Sequence, residues 1–168
     1  MSALPAVVSV DEYLHTAYRP DCDYVDGVIV ERNVGEKDHS KLQWQLMRYL
    51  EQHYPNFFTI HETRVQISAT RFRVPDLCVF AGPEPDEQIF THPPFLCIEV
   101  LSPEDRMSRM QAKIDDYLGF GVSYVWVIDP QTRKAWIYTA EGMREVRDGV
   151  LRTAEPEIAV PIGELFAD

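Results

Sequence analysis

Two carboxylates stand where apolar side chains belong. In FLCIEVLSPED, residues 95–105, Glu99 interrupts a run of the kind that fills a central β-strand, and in VPDLCVF, residues 74–80, Asp76 interrupts another. An ionised carboxylate buried without a partner costs several kcal/mol, a large share of the stability of a small domain. It must be offset by a cationic side chain, by a pKa raised until the acid is neutral, or by a metal ion. In the alternation of a strand, Asp76 shares a face with Cys78 and Phe80, and Glu99 shares one with Cys97 and Phe95. Two such strands in one sheet bring both acids to one edge. Paired oxygen ligands suit a hard cation such as Mg²⁺, which needs one or two carboxylates and keeps several waters. A cation so held generates hydroxide and clamps a phosphodiester as charge develops. Lys113, three residues after Met110 and four before Tyr117, is the ammonium expected to orient water or stabilise that charge.

The elements that would position these groups are legible in outline. Ser9 and Glu12 form a capping box for a short helix. CDYVDGVIVER reads as a hairpin about Asp26-Gly27. From Glu36 to His53 the pattern is helical, with His39, Leu42, Leu46 and Leu50 on one stripe and Glu36 and Gln43 on its flank, so the first turn is polar and expected to border a cavity. Phe57 to Ser68 reads as one strand and Arg71 to Phe80 as its partner. After the Glu99 strand, Ser102-Pro103-Glu104-Asp105 predicts a helix start with Ser102 as N-cap and Met107, Met110, Ile114 and Tyr117 as the buried stripe. Tyr124 to Ile128 and Ala135 to Thr139 follow as a hairpin, and the tail adds a strand and a turn of helix. Strand, helix, strand around Phe95 to Ile128 argues a parallel crossover. The fold class is α/β or α+β, a mixed central sheet flanked by helices.

Composition narrows the function classes. The 168 residues, 45% hydrophobic and 26% charged, suit one globular domain. A net charge of -11 argues against a protein that binds nucleic acid by bulk attraction, although not against a local basic cleft. Cys22, Cys78 and Cys97 read as buried thiols rather than a disulfide or zinc set. The opening MSALPAVVSV has neither the basic start nor the apolar core of an export signal, and no run is long enough to span a bilayer, so a cytoplasmic location is expected.

VPDLCVF, then FLCIEVLSPEDR, then K-x-x-x-Y and GVSYVWVIDP resemble the Uma-two family of endonucleases within the PD-(D/E)XK nuclease superfamily. The likeness runs from DYVDG through His39-Ser40 to the final IGELF. It implies a restriction-endonuclease-like core over residues 36–139, with residues 1–35 as an N-terminal helix and hairpin and 140–168 as a C-terminal extension. It also implies a Mg²⁺- or Mn²⁺-dependent phosphodiesterase site acting on DNA, in which Asp76 and Glu99 match the motif's acids and the carbonyl of Val100 is a further metal ligand. Leu101 stands where the superfamily pattern has lysine, and Lys113 would substitute from the helix. Glu36 and His39 would assist from the first core helix, with Glu62 a weaker candidate. Arg73 and Arg106 are the expected substrate contacts, and a symmetric homodimer would serve two-strand cutting.

Other readings stay open at this level. Asp76 and Glu99 could pair with Arg73, Arg64 or Lys113 purely for structure. His39 could be a satisfied core histidine. Arg64, Arg71, Arg73, Arg106 and Arg109 either line a phosphate groove or solvate a face, and Trp44 reads as packing rather than as a base-stacking platform. Beside the nuclease stand a binding module on the same fold with an impaired site, and a hydrolase of small phosphate esters.

Overall fold

The computed structural model describes residues 6–167; the first five residues of the opening read for an export signal lie outside it. In chain order the elements are α1 (Val10–Leu14), β1 (Asp23–Val25), β2 (Val28–Val30), α2 (Lys37–His53), β3 (Phe58–His61), β4 (Val65–Ser68), β5 (Arg71–Arg73) and β6 (Leu77–Phe80). Then come β7 (Leu96–Val100), α3 (Met107–Phe120), β8 (Tyr124–Ile128), β9 (Ala135–Thr139), β10 (Gly142–Glu145), β11 (Val150–Thr153), β12 (Ile158–Pro161) and α4 (Ile162–Leu165). A six-stranded sheet in the order β10-β9-β8-β7-β6-β3 forms the centre, beside a four-stranded sheet β2-β1-β5-β4 and a β11-β12 pair. The fold is mixed α+β. As the apolar strands predict, β7 and β8 are parallel and joined by α3, while β6 and β9 flank them antiparallel.

Each face of the large sheet receives one helix, because each helix carries one apolar stripe. On one side Leu42, Leu46 and Leu50 of α2 pack on Leu77, Leu96, Ile98 and Trp126. On the other, Met110, Ile114 and Tyr117 of α3 cover Cys78, Cys97, Val125 and Val127. The three cysteines are free and buried, and Cys78 and Cys97 are cross-strand partners. The expected hairpin about Asp26-Gly27 forms, Gly27 taking φ +94 and lying so close to Val7 that a β-carbon would come within 2.9 Å of it. No helix among the described residues is long and apolar enough to cross a membrane.

Two expectations need correction. The long hairpin of residues 57–80 is not one ribbon. Its first half pairs β3 with β6 in the large sheet and its tip pairs β4 with β5 in the small one. Both strands change sheet where regular pairing fails, at Glu62, whose φ is +49, and at Pro75, which has no N–H to give a ladder. Residues 102–105 are also not the first turn of α3. Ser102 N–H donates to Asp105 Oδ2 at 2.7 Å, Asp105 N–H returns to the Ser102 carbonyl, and the Ser102 hydroxyl donates to the Asn33 carbonyl at 2.6 Å. The turn closes on itself and docks on the segment before α2, which postpones the helix to Met107, with Arg106 at its N-cap. Met107 is consequently 73% exposed rather than in the stripe.

The junction between the sheets is held by Asp23, only 1% exposed. It accepts from Val74 N–H at 2.8 Å and from Arg73 Nη1 at 3.2 Å. Removing one partner of a buried charged pair costs about 3–5 kcal/mol, so Asp23→Ala is expected to lower stability by that order, read as an earlier midpoint in urea, with Asp23→Asn milder.

Candidate functional site

Continuing the β6–β7 register from Leu77 opposite Ile98 by one step sets Asp76 opposite Glu99. Both acids are 2% exposed, and they share the cavity described below. Pro75 ends the ladder, and Asp76 takes over from it: Oδ2 accepts the Val100 N–H at 2.7 Å. The other oxygen, Oδ1, accepts from Arg32 Nη2 at 2.8 Å. His39 Nε2 lies 3.3 Å from Oδ2, close but too poorly directed to count as a hydrogen bond. The main chain of Asp76 is held as well, its carbonyl accepting from the Gln43 side chain at 3.1 Å and from Glu62 N–H at 3.2 Å.

Glu99 is held from α3. Lys113 and Tyr117, four residues apart and so on one helix face, both reach Oε1, the ammonium at 3.0 Å and the hydroxyl, which donates, at 2.6 Å. Lys113 also lies 4.0 Å from Asp23. Its side chain is 13% exposed, the stem packed and the amine turned to the acids as the sequence suggests.

The two neighbouring carboxyls titrate apart. Burial raises Asp76, but His39, Arg32 and Lys113 outweigh it and hold the group at about 2. Burial raises Glu99 to about 7; Lys113 pulls it down, the adjacent Asp76 charge pushes it up, and the Tyr117 hydrogen bond pulls it down. Burial lowers His39, yet Asp76 overcomes this and raises it. Lys113 is likewise raised, Glu99 and Asp23 overcoming burial. Near neutrality the site is therefore one fixed carboxylate beside one acid on the edge of ionising.

These groups open on a cavity of about 310 Å³, walled by Val25, Val28 and Val30 of the small sheet, by Asp76, Glu99 and Val100 of the large one, and by Met110 and Lys113 of α3. Asp23, Glu31, Arg32, Arg73, Asp105 and Arg109 complete its charged lining. Among the described residues no group of three or more His, Cys, Asp or Glu side chains is gathered to hold a metal. The donor set is sparser, two carboxylates beside a main-chain segment, which is the set that suits Mg²⁺ with retained water.

Not all the predicted residues meet here. Asp76, Glu99, Val100, Lys113 and Arg73 line the cavity, and His39 touches Asp76 from behind. Glu36 is the exposed N-cap residue of α2 and does not line it. Glu62 stays at the side, 3.7 Å from Arg32 Nη1. Arg106 borders a separate hollow with Leu101, Asp129 and Gln131. The other arginines do not form one row: Arg64 is spent on Asp21, Arg71 on Asp26 and Asp116, and Arg73 on Asp116 and Asp23. Trp44 is 56% exposed, not packed, beside Arg48 over its ring. Sequence reasoning missed Arg32, Asp23 and Tyr117. A charge directly after the apolar VIV of β2, and an acid opening the hairpin, were the available signals.

Because Glu99 is raised from 4.5 to about 7, the folded state carries a proton the unfolded chain lacks. The stability linked to it is full below 4.5 and lost as pH rises through 7. Infrared spectra of the protein are expected to show a protonated-carboxyl band at pH 6 that fades above 7 and is missing in Glu99→Gln. Denaturant titrations should then show the wild type losing stability relative to Glu99→Gln over the same interval.

No curated protein matches the chain. A solved structure described as a "putative nuclease belonging to DUF820", from Anabaena variabilis ATCC 29413, superposes with a TM-score of 0.78 at 22% identity, over 95% of this chain and 97% of that one. At that identity the likeness is one of fold. The family described as "Uma2: Putative restriction endonuclease" matches residues 10–163. That span takes in both acids, Lys113 and every wall of the cavity, and the chain belongs to the Uma2 family.

Proposed function

We propose that the protein is a Mg²⁺- or Mn²⁺-dependent endonuclease of the PD-(D/E)XK type that hydrolyses DNA phosphodiester bonds in the cytoplasm, acting as a symmetric homodimer on duplexes. The observation that carries the reading is the cross-strand pair Asp76 and Glu99, side by side on one cavity with the Lys113 ammonium 3.0 Å from Glu99. Asp76, Glu99 and the Val100 carbonyl would hold the cation. When bound, such an ion neutralises phosphate charge and makes water a nucleophile near neutral pH.

The rest is work for the chain's own groups. Lys113 orients the attacking water or stabilises charge on the phosphoryl oxygens, since it is fixed by Glu99 and Asp23 and needs no reorganisation. Tyr117 holds Glu99 in place through its hydroxyl, and His39 and the Val100 amide keep Asp76 ionised and aimed. Arg109, its guanidinium bonded to the Glu31 carbonyl at the cavity wall, is placed to meet the neighbouring phosphate. Recognition would therefore be local, by a few cations around the acids, in keeping with a chain whose net charge is -11.

A second reading, a nuclease-fold binding module with an impaired site, draws on one observation: both oxygens of Asp76 already have partners, Arg32 and the Val100 amide. Calorimetric titration with Mn²⁺ separates the two. Saturable binding that Asp76→Ala abolishes supports the enzyme, and no heat supports the module.

The enzyme reading is tested on supercoiled plasmid. Magnesium-dependent nicking is expected, abolished in Glu99→Ala and lowered roughly 10²–10³-fold in Lys113→Met, the order expected for one stabilising donor, with circular dichroism confirming that both variants fold. A wild-type protein inert on single-stranded, double-stranded and branched DNA with either ion overturns it.

A further inference from the structure

Arg32 is a buried cation with work left undone. Its side chain is only 4% exposed, yet Nη1 has no hydrogen-bond partner and lies 3.7 Å from Glu62. The single short bond it makes is Nη2 to Asp76 Oδ1. Two other arginines are bonded more fully. Arg73 uses Nε on Asp116 and Nη1 on Asp23, and Arg64 grips both oxygens of Asp21 and two carbonyls. A guanidinium offers five donors in a fixed fork, and leaving one buried and unpaired is costly unless something else takes it up.

Its position is suited to exchange. Arg32 lines the same cavity as Asp76, Glu99 and Lys113. It sits in residues 31–36, which belong to no helix or strand and join β2 to α2. That connector is tied by a few bonds only, among them Arg109 to the Glu31 carbonyl and the Asn33 contacts with Ser102 and Asp105. No sheet ladder must break for the guanidinium to shift.

We infer that Arg32 is an exchangeable counter-ion: it neutralises Asp76 in the resting protein, yields Oδ1 to a divalent cation, and turns its free fork to the substrate phosphate in the same cavity. The inference rests on the reading of Asp76 and Glu99 as a cation site. The physical case is that Asp76 Oδ2 already accepts the Val100 amide and has His39 Nε2 3.3 Å away, so Oδ1 is the less crowded oxygen for a cation, and Arg32 occupies it. Two cations that want one oxygen compete. The planar fork displaced from a carboxylate is matched to a phosphate, which accepts it in the same bidentate manner. Arg32 would thus be a substrate-binding residue that is masked until the cation arrives.

The signature is two effects of opposite sign. In Arg32→Met, Mn²⁺ followed by calorimetry is expected to bind about tenfold tighter, the scale of an ordinary coupling between sites. Affinity for a DNA duplex, measured in Ca²⁺ by fluorescence anisotropy, is expected to fall about tenfold in the same variant. A purely structural arginine would not separate the two. If the wild type binds Mn²⁺ but the variant binds it no more tightly, or binds DNA unchanged, the exchange is overturned while the cation site stands. If neither protein binds Mn²⁺, both readings fall. Should Arg32→Met not fold, the wild type decides: the Arg32 Nε–H resonance in NMR must move when Mg²⁺ is added and again with DNA, and a resonance that ignores Mg²⁺ overturns the proposal.

Discussion

Two carboxylates forced into adjacent places on neighbouring strands repel each other, and no arrangement of the surrounding chain is neutral toward that fact. In a medium that screens poorly, their charges must be met one by one. Arg32 and His39 meet Asp76, while Lys113 and Tyr117 meet Glu99. Asp23 then steadies Arg73 and approaches Lys113, so the compensation spreads from the β6–β7 pair through α3 to the small sheet. Much of the local architecture follows from this. The break of the hairpin at Pro75, the docking of the connector after β2, and the polar edge on the otherwise apolar stripe of α3 all serve to bring a charge or a donor to one of two oxygen pairs.

The acids are unequal partners. Asp76, tied at both oxygens and at its carbonyl, is fixed in place and ionised. Glu99, held by one oxygen and raised by burial, sits where a modest change of surroundings changes its charge. The arrangement is costly for stability, since an apolar pair of similar volume would pack without it.

How much of this could be read from the residues depends on the range of the interaction. The parallel crossover around Glu99 was legible because β7, α3 and β8 carry their own periodicity, and the pairing of Asp76 with Glu99 because strand phase put each on a definite face. Lys113 was legible as a cation at the edge of the α3 stripe. Arg32 was not, because it reaches Asp76 across 44 positions from a connector without periodicity. The sheet change within residues 57–80 was hidden for a different reason: local alternation says that a residue is extended but not which neighbour its backbone bonds. The helix start at Ser102 misled because a hydroxyl N-cap with acids behind it and a free-standing turn use the same side chains, and the contacts with Asn33, distant in sequence, chose between them.

The cavity draws its walls from two sheets, and this divides labour among residues. The large sheet and α3 supply the acids and the ammonium, whereas Val25, Val28 and Val30 belong to the small sheet and carry no reactive group. Among the described residues the chain passes directly from one sheet to the other at two crossings, near Glu62 and Pro75. The three valine side chains can thus change in size and shape while the backbone that carries Asp23 and Arg73 of the same sheet keeps its place. Relatives sharing this scaffold would be able to diverge in what the cavity admits while keeping the two acids and the ammonium in place.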